Sequence, residues 1–380
     1  MNVGVPTERA AGEARVALTP PVAATLVKRG IAVTVAPGAG AGSDWPDTAY
    51  RDVGCDVAES RDEVFERADV VVHVRALGAV SDATVDPYRD GQVVVGLLGP
   101  YRLTADDVET LVDRRLSAFA LELLPRLSRA QSMDALTSMA SLGGYKAAVL
   151  AANELSALFP MQMTAAGTVH PAKVFVVGAG VAGLQAIATA RRLGARVRAY
   201  DIRPAVREEV ESLGAEFLEL DIETEKRATE SGYATEQDEA FYRRQRELMT
   251  EAVADADVVI TSAAVPGRPA PTLVTAAMLE GMDRGSVVID LAAEGGGNCE
   301  PTRADETVEH AGVRVFGPTN LPSTVSHTAS HLFANNVTSF LAALVTDGAL
   351  AIDTTDEVVD ATLLTHDGET RPPLVEAGVV

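Results

Sequence analysis

Apolar residues recur along this chain in two alternating rhythms. Short β-branched runs read as strands, and longer segments with helical spacing separate them, the pattern of a parallel sheet covered by helices. Val3 to Val5, Ile31 to Val35, Val70 to Val74, Val93 to Leu97 and Ser117 to Ala120 read as the first strands. A helix between the first two is bounded by Thr19 as cap, Pro20 at its first position and Gly30 just past its end. Gly38 to Gly42 follows a strand but leads into no apolar helical pattern, so an ordinary turn is expected there and not a second phosphate loop. Ser132 to Leu158 predicts one long helix with a weak point at Gly143 and Gly144, followed by a loop over Thr164 to Pro171. A second run of strands covers Lys173 to Val177, Arg196 to Tyr200, Val258 to Thr261, Val287 to Asp290 and Val313 to Phe316. Thr328 to Val345 is a helical pattern expected to return to the first domain, with a thin tail to Val380 behind it. The expected fold class is α/β: two Rossmann-like doubly wound parallel-sheet domains, separated by a cleft and joined by long helices. Their expected extents are 1–140 plus 328–380, and 141–327.

Composition narrows the classes of partner. With 380 residues, 47% of them hydrophobic, the chain has material for two packed cores. Its net charge of −22 argues against a nucleic-acid backbone or an anionic membrane surface as partner, since both need clustered cations. Lysine is confined to Lys28, Lys146, Lys173 and Lys226. An acidic, lysine-poor surface suggests a halophile, and a GC-rich genome offers a second explanation of the arginine bias. Cys55 and Cys299 lack disulfide or metal-ligand spacing, which points to a reducing compartment. The stretch Ala147 to Met161 is interrupted by Asn153, Glu154 and Pro160, short of the roughly 20 apolar residues of a membrane span. Direct membrane insertion is therefore not expected.

The most informative segment is Lys173 to Asp201. A strand ends in Gly178-Ala179-Gly180-Val181-Ala182-Gly183, a helical stretch follows, and the next strand closes on Asp201. Gly178 permits a tight turn, Gly180 lets the backbone approach a pyrophosphate, and Gly183 allows close helix–strand packing. The helix start, with Val181 and Ala182, offers amide donors to the anion. Asp201 would accept both hydroxyls of an adenosine ribose and repel a 2′-phosphate, which makes NAD the expected cofactor. Arg203 acts in the opposite sense, but is expected to be exposed and partly engaged by Glu208 and Glu209. Ile202, Ala263 and Ala264, at the ends of neighbouring strands, complete the candidate cofactor set.

Arg126-Leu127-Ser128-Arg129-Ala130-Gln131-Ser132-Met133-Asp134 resembles the nicotinamide-side loop of the NAD(H)-binding alpha subunit of the NAD(P) transhydrogenases, within the alanine dehydrogenase/pyridine nucleotide transhydrogenase family. Further matching segments are Arg15 to Pro20, Gly178 to Leu193, Gly232-Tyr233-Ala234, Pro266 to Pro271, Glu294 to Asn298, Thr319 to Ser323 and Thr365 to Gly368. Position in the chain agrees, since a loop that hands over to the linking helix is expected to face the cleft near the nicotinamide. Gln131 is suited to bond the carboxamide, Arg126 and Asp134 to pair and fix the face of the ring, and Thr137, commonly serine in the family, to supply a hydroxyl. The plainer reading is a helix-capping loop with solvated charges. Between Asp221 and Met249 the polar sequence reads as a mobile loop and an exposed helix. The resemblance implies a lid there that excludes water, with Gly232 and Tyr233 on it. A solvated surface hairpin is the alternative.

An enzyme that oxidises an alcohol or amine must also move a proton, whereas nicotinamide-to-nicotinamide transfer does not. The alanine dehydrogenase alternative wants a substrate-binding lysine and a catalytic histidine. The corresponding neighbourhoods hold Val72-His73-Val74-Arg75 and Val95 to Pro100, with Arg15 left for a carboxylate. His327 and His331 share a helical face but lack the glutamate of a metalloprotease motif, so no metal is expected. The resemblance implies hydride transfer between NAD(H) here and NADP(H) on a partner, coupled to proton translocation. It further implies a homodimer, NADP(H)-binding and membrane-spanning subunits on separate chains, and a cytoplasmic location peripheral to the inner face of the membrane. A non-catalytic NADH-binding module is the other alternative.

Overall fold

A computed structural model describes residues 1–81, 84–220, 239–264, 267–346, 348–372 and 374. The chain divides into two compact units, Met1–Met139 with Pro322–Val380, and Ala140–Leu321. In the first unit the β-branched runs form β1 (Asn2–Val5), β2 (Ala32–Val35), β3 (Asp56–Val57), β4 (Val70–Arg75), β5 (Val93–Leu97) and β6 (Ser117–Ala120). Between them lie α1 (Pro20–Lys28), α2 (Asp47–Asp52), α3 (Arg61–Arg67) and α4 (Ala105–Asp113). The next helix, α5 (Ala135–Glu154), starts in the first unit and continues into the second.

The second unit opens with a hairpin, β7 (Gln162–Thr164) and β8 (Gly167–Val169). It continues through β9 (Lys173–Val177), α6 (Val181–Arg192), β10 (Arg196–Tyr200), α7 (Arg207–Ser212), β11 (Glu216–Phe217), α8 (Glu239–Ala254) and β12 (Val258–Thr261). Then come α9 (Ala276–Leu279), β13 (Val287–Asp290), β14 (Thr307–His310) and β15 (Val313–Phe316). The chain re-enters the first unit with α10 (Ser326–Leu341), a small hairpin β16 (Val345–Thr346) and β17 (Ala349–Leu350), α11 (Glu357–Thr362), β18 (Leu363–His366) and β19 (Glu369–Thr370).

The first sheet has the order β19-β18-β6-β5-β4-β1-β2-β3 and the second β11-β10-β9-β12-β13-β15-β14. Both are parallel at their centres, with antiparallel additions where β18 meets β6 and β14 meets β15. Each winds outward in two directions from one strand, so the order reverses between β1 and β4 in one sheet and between β9 and β12 in the other. These reversals are where loops on opposite faces part and leave room for a ligand.

Burial on both faces explains why the central strands read as unbroken apolar runs. In β9, Val174 and Val176 pack with Ala147, Ala148 and Ala151 of α5 and with Ala186, Ile187 and Ala190 of α6. Phe175 and Val177 point the other way, into a core with Met249 and Val253 of α8 and Leu279 of α9.

Several expectations are corrected. Gly143 and Gly144 do not weaken α5, which is continuous. Thr164 to Pro171 is largely a hairpin, unrecognised because every residue of β7 and β8 is exposed and no apolar alternation marks it. The tail is not thin, since Leu363 and Leu364 carry β18 into the first core. The helix expected to be exposed, α8, instead buries Gln245, Met249 and Val253 along one face. Thr19 stands at the N-cap of α1, but its hydroxyl makes no capping bond, and Pro20 sets the first turn. Gly38 to Gly42 runs into a 3-10 turn, Ala41–Ser43, as expected of an ordinary turn.

Candidate functional site

The chain passes from β9 into α6 through Gly178, Ala179 and Gly180, at the reversal point of the second sheet. Tyr200 of β10 and Thr261 of β12 are both in register with Val177. The sheet ladder therefore brings Asp201, Ile202 and Arg203 on one side, and Ser262, Ala263 and Ala264 on the other, up to the glycine turn.

The glycines answer different demands. Gly178 has a φ of 95°, and a Cβ on it would stand 2.9 Å from Ser262 Oγ. On Gly183 a Cβ would lie 1.8 Å from the Gly178 carbonyl oxygen, so only a bare α-carbon lets α6 close on the turn. Gly144 of α5 does likewise against the Ala182 carbonyl, at 2.0 Å. Gly180 differs from these, because a Cβ there would meet nothing nearer than Arg203 Nη2 at 4.0 Å. Its open side lies at the N-cap of α6, whose first amides, those of Val181 and Ala182 among them, have no acceptor within the helix. An open backbone, a helix start and a buried acid fit a dinucleotide pyrophosphate and ribose.

The acid is Asp201, 8% exposed. Its Oδ2 accepts the Ala179 N–H at 2.8 Å, which ties the end of β10 to the glycine turn. Arg203 donates its backbone N–H at 2.8 Å and Nε at 2.9 Å to Oδ1, and Nη2 at 2.9 Å to Oδ2. Arg203 is thus partly buried and ion-paired with Asp201, in contrast to the exposed arginine that the sequence suggests. The Asp201 bond, first among the causes, holds its guanidinium above the ordinary arginine range, and Glu209 adds a weaker pull. Four donors use the roughly four lone-pair directions of a carboxylate. Two of the four come from the Arg203 side chain and two from the backbone, so Asp201 would offer an acceptor to another donor only with that side chain turned aside.

Sequence reasoning missed the residues that fix the far side of the turn. Asn298, fully buried, accepts the Ala263 N–H at 2.9 Å and donates to the carbonyls of Ala263 and Pro271 at 2.8 Å each. Asp290, also fully buried, accepts from Thr261 Oγ1, Thr302 Oγ1 and the N–H groups of Ala292 and Cys299. Its signal was an acid closing an apolar strand. Ser262 Oγ donates to the Gly178 carbonyl at 3.1 Å, and Gln245 Nε2 to Tyr200 Oη at 3.1 Å. Burial pushes the Cys299 thiol up to about 12 and that of Cys55 up to about 11, so neither is a ready nucleophile.

The Arg126 to Asp134 loop belongs to the first unit, where a 3-10 turn over Ser128–Met133 leads into α5. Asp134 accepts the Thr137 N–H at 2.8 Å and the Thr137 hydroxyl at 2.6 Å, so it caps α5 instead of pairing with Arg126 as expected. A short acid three residues ahead of a helical N–H is the geometry of an N-cap. The bond to Asp134 also orients the Thr137 hydroxyl. Arg129 makes two bonds to Asp356, at 2.9 and 3.0 Å, and Asn336 of α10 donates to the Ser132 carbonyl at 3.0 Å. With the loop anchored this way, Arg126 and Gln131 are exposed. Gly232 and Tyr233 lie outside the described residues. The cofactor candidates Gly178, Gly180, Val181, Ala182, Gly183, Asp201, Ile202, Arg203, Ala263 and Ala264 are gathered in the second unit. Arg126, Gln131, Asp134 and Thr137 are gathered in the first.

His327 stacks on Trp45 with ring centroids 4.5 Å apart, and its Nδ1 lies 3.0 Å from the Ser43 carbonyl. Among the described residues no helix is long and apolar enough to cross a membrane.

Two family models match: "Alanine dehydrogenase/PNT, N-terminal domain" over residues 4–143, and "Alanine dehydrogenase/PNT, C-terminal domain" over residues 147–373. The chain is 44% identical over 373 residues to an NAD(P) transhydrogenase subunit alpha polypeptide of Rhodospirillum rubrum, covering 97% of each. It is 30% identical to the alanine dehydrogenase of Mycolicibacterium smegmatis, covering 97% of this chain and 94% of that one. The crystal structure of transhydrogenase from Sinorhizobium meliloti superposes with a TM-score of 0.86 at 44% identity, covering 97% of this chain and all of the other.

Proposed function

From the premise that the chain belongs to the alanine dehydrogenase/PNT family, we propose that it is the NAD(H)-binding subunit of a proton-translocating NAD(P) transhydrogenase. In this reading it passes hydride between its own NAD(H) and NADP(H) held by a partner subunit. Within a family that also contains an amino-acid dehydrogenase, one observation carries the choice. The two groups best suited to handle an amino acid are already engaged by the protein itself. His73 is buried in β4, with Nε2 2.9 Å from Tyr88 Oη and Nδ1 3.6 Å from Glu8. Arg15, 3% exposed, donates to Glu13 through Nε at 2.7 Å and Nη2 at 2.5 Å. A transfer between two nicotinamides needs neither of them.

Bound NAD(H) supplies the hydride, and the residues of this chain bind and orient it. Gly180, with the amides of Val181 and Ala182, takes the pyrophosphate. Asp201 takes the adenosine ribose as Arg203 turns aside, and Ile202, Ala263 and Ala264 border the nucleotide. Gln131 bonds the carboxamide, Arg126 and the cap pair Asp134–Thr137 fix the face of the ring, and Tyr233 excludes water. The rate gain comes from holding the ring at near-attack distance in a dry site.

The working assembly is a homodimer with NADP(H)-binding and membrane-spanning subunits on separate chains, peripheral to the cytoplasmic face of the membrane. Exposed Met161, Met163 and Val169 around the β7–β8 hairpin offer the apolar surface that a second copy would cover. The test is to mix the chain with a separate NADP(H)-binding component and follow transfer between nucleotide analogues. Transfer that neither component supports alone is the expected result. Alanine-dependent reduction of NAD by the isolated chain would overturn the reading.

A further inference from the structure

In a chain of net charge −22, Arg9, Arg61 and Arg75 border one shallow, open cavity in the first unit. They come from the loop after β1, the start of α3 and the end of β4, around the reversal point of the first sheet. Phe65, Leu77 and Tyr88 line the cavity as well, so cations sit over a largely apolar wall.

Arg61 is the residue that gives the cavity its chemistry. Its Nε donates to the Thr7 carbonyl at 3.1 Å, and its guanidinium lies 4.7 Å from the Phe65 ring centroid, which together fix the group in place. Its Nη1 is buried and has no hydrogen-bond partner in the protein. Burial, and after it the neighbouring Arg9, push this guanidinium below the ordinary arginine range, while Tyr88, Glu8 and Asp62 pull the other way. Glu8 is already committed elsewhere, accepting the Val74 N–H at 2.8 Å and the Arg75 N–H at 3.1 Å. A cation held next to a like charge, with a buried donor unsatisfied, is a conformation that an anion's oxygens would stabilise. The apolar wall favours an anion that brings a short carbon body with it.

We infer that the first unit binds a compact organic anion, its carboxylate or phosphoryl group between Arg61 and Arg9 and its carbon body against Phe65 and Leu77. The site is separate from the dinucleotide turn, and the inference does not depend on the transhydrogenase reading.

Calorimetric titration of the full chain at low chloride, with butyrate and with propyl phosphate, tests it, and butyramide serves as the uncharged control. At least one anion should bind more tightly than butyramide, and the tighter of the two identifies the headgroup. Arg61→Met should weaken that binding by roughly tenfold or more, the value of a lost charge-assisted bond, while Arg61→Lys recovers part of it and NADH affinity stays unchanged. Should Arg61→Met fail to fold, Arg9→Gln at the exposed rim should still weaken binding by about threefold. Binding of neither anion above the butyramide level overturns the site, and so does full binding by a folded Arg61→Met protein.

Discussion

The two units wind their sheets by the same rule yet treat the reversal point differently. After β1 the chain continues through Pro6, Thr7 and Glu8, and the Glu8 carboxylate fills the two amides at the end of β4. After β9 it continues through Gly178 to Gly180, and one face of the turn stays open. In one unit a side chain from within satisfies the backbone donors at the switch, and in the other the Gly178 and Ala179 amides are bonded while the first amides of α6 have no acceptor within the helix. A shared topology thus supplies the location, and the residues placed there decide whether it can take a dinucleotide.

Substitutions at each switch sharpen that contrast. The largest effect is expected at Gly183. An alanine Cβ 1.8 Å from the Gly178 oxygen would force α6 off the turn, so Gly183→Ala should lower NADH affinity by about 100-fold or more and lower the melting temperature too. Gly180→Ala is its control: with open space around the added carbon, stability should stay within about 0.5 kcal/mol, while NADH affinity falls. Asp201→Asn comes next, with about tenfold weaker NADH binding and a narrower gap between NADH and NADPH, read by titration with both. In the first unit, Glu8→Gln should cost about 1–3 kcal/mol in chemical denaturation and leave NADH affinity unchanged. An equal loss of NADH affinity in that variant would break the distinction between the two switches.

The smallest effect is expected at Asp356, whose carboxyl the Arg129 bond holds below its ordinary value. A depressed carboxyl contributes stability that is complete above the unfolded-state pKa and lost as pH falls through the folded value. The pair is exposed, so Arg129→Gln should produce only a slight loss of melting temperature at neutral pH, vanishing in acid. A loss that persisted once Asp356 is protonated in the folded protein would assign Arg129 some other role.

What was legible in the sequence follows from how local each signal is. The central strands stood out because both faces are buried, and β5, β6, β9, β10, β12, β13 and β15 match their expected ends. β3 and β11 are two residues long, too short to show a period, and the exposed β7–β8 hairpin carries no apolar pattern. The glycine turn and Asp201 were readable because spacing alone encodes them. Asn298 reaches Ala263 across 35 residues, a contact that only the folded chain creates. Asp134 and Thr137 show the reverse error. Their spacing of three already described a helix cap, but the two charges at Arg126 and Asp134 suggested an ion pair.

The central claim is that the open turn after β9, with Asp201 beside it, holds NAD(H) and turns away the 2′-phosphate. Calorimetric titration of the full chain with NADH and then NADPH tests it most directly. NADH should bind at least about tenfold more tightly, the value of one charge repulsion in a partly buried site. Equal affinity for the two nucleotides would contradict it.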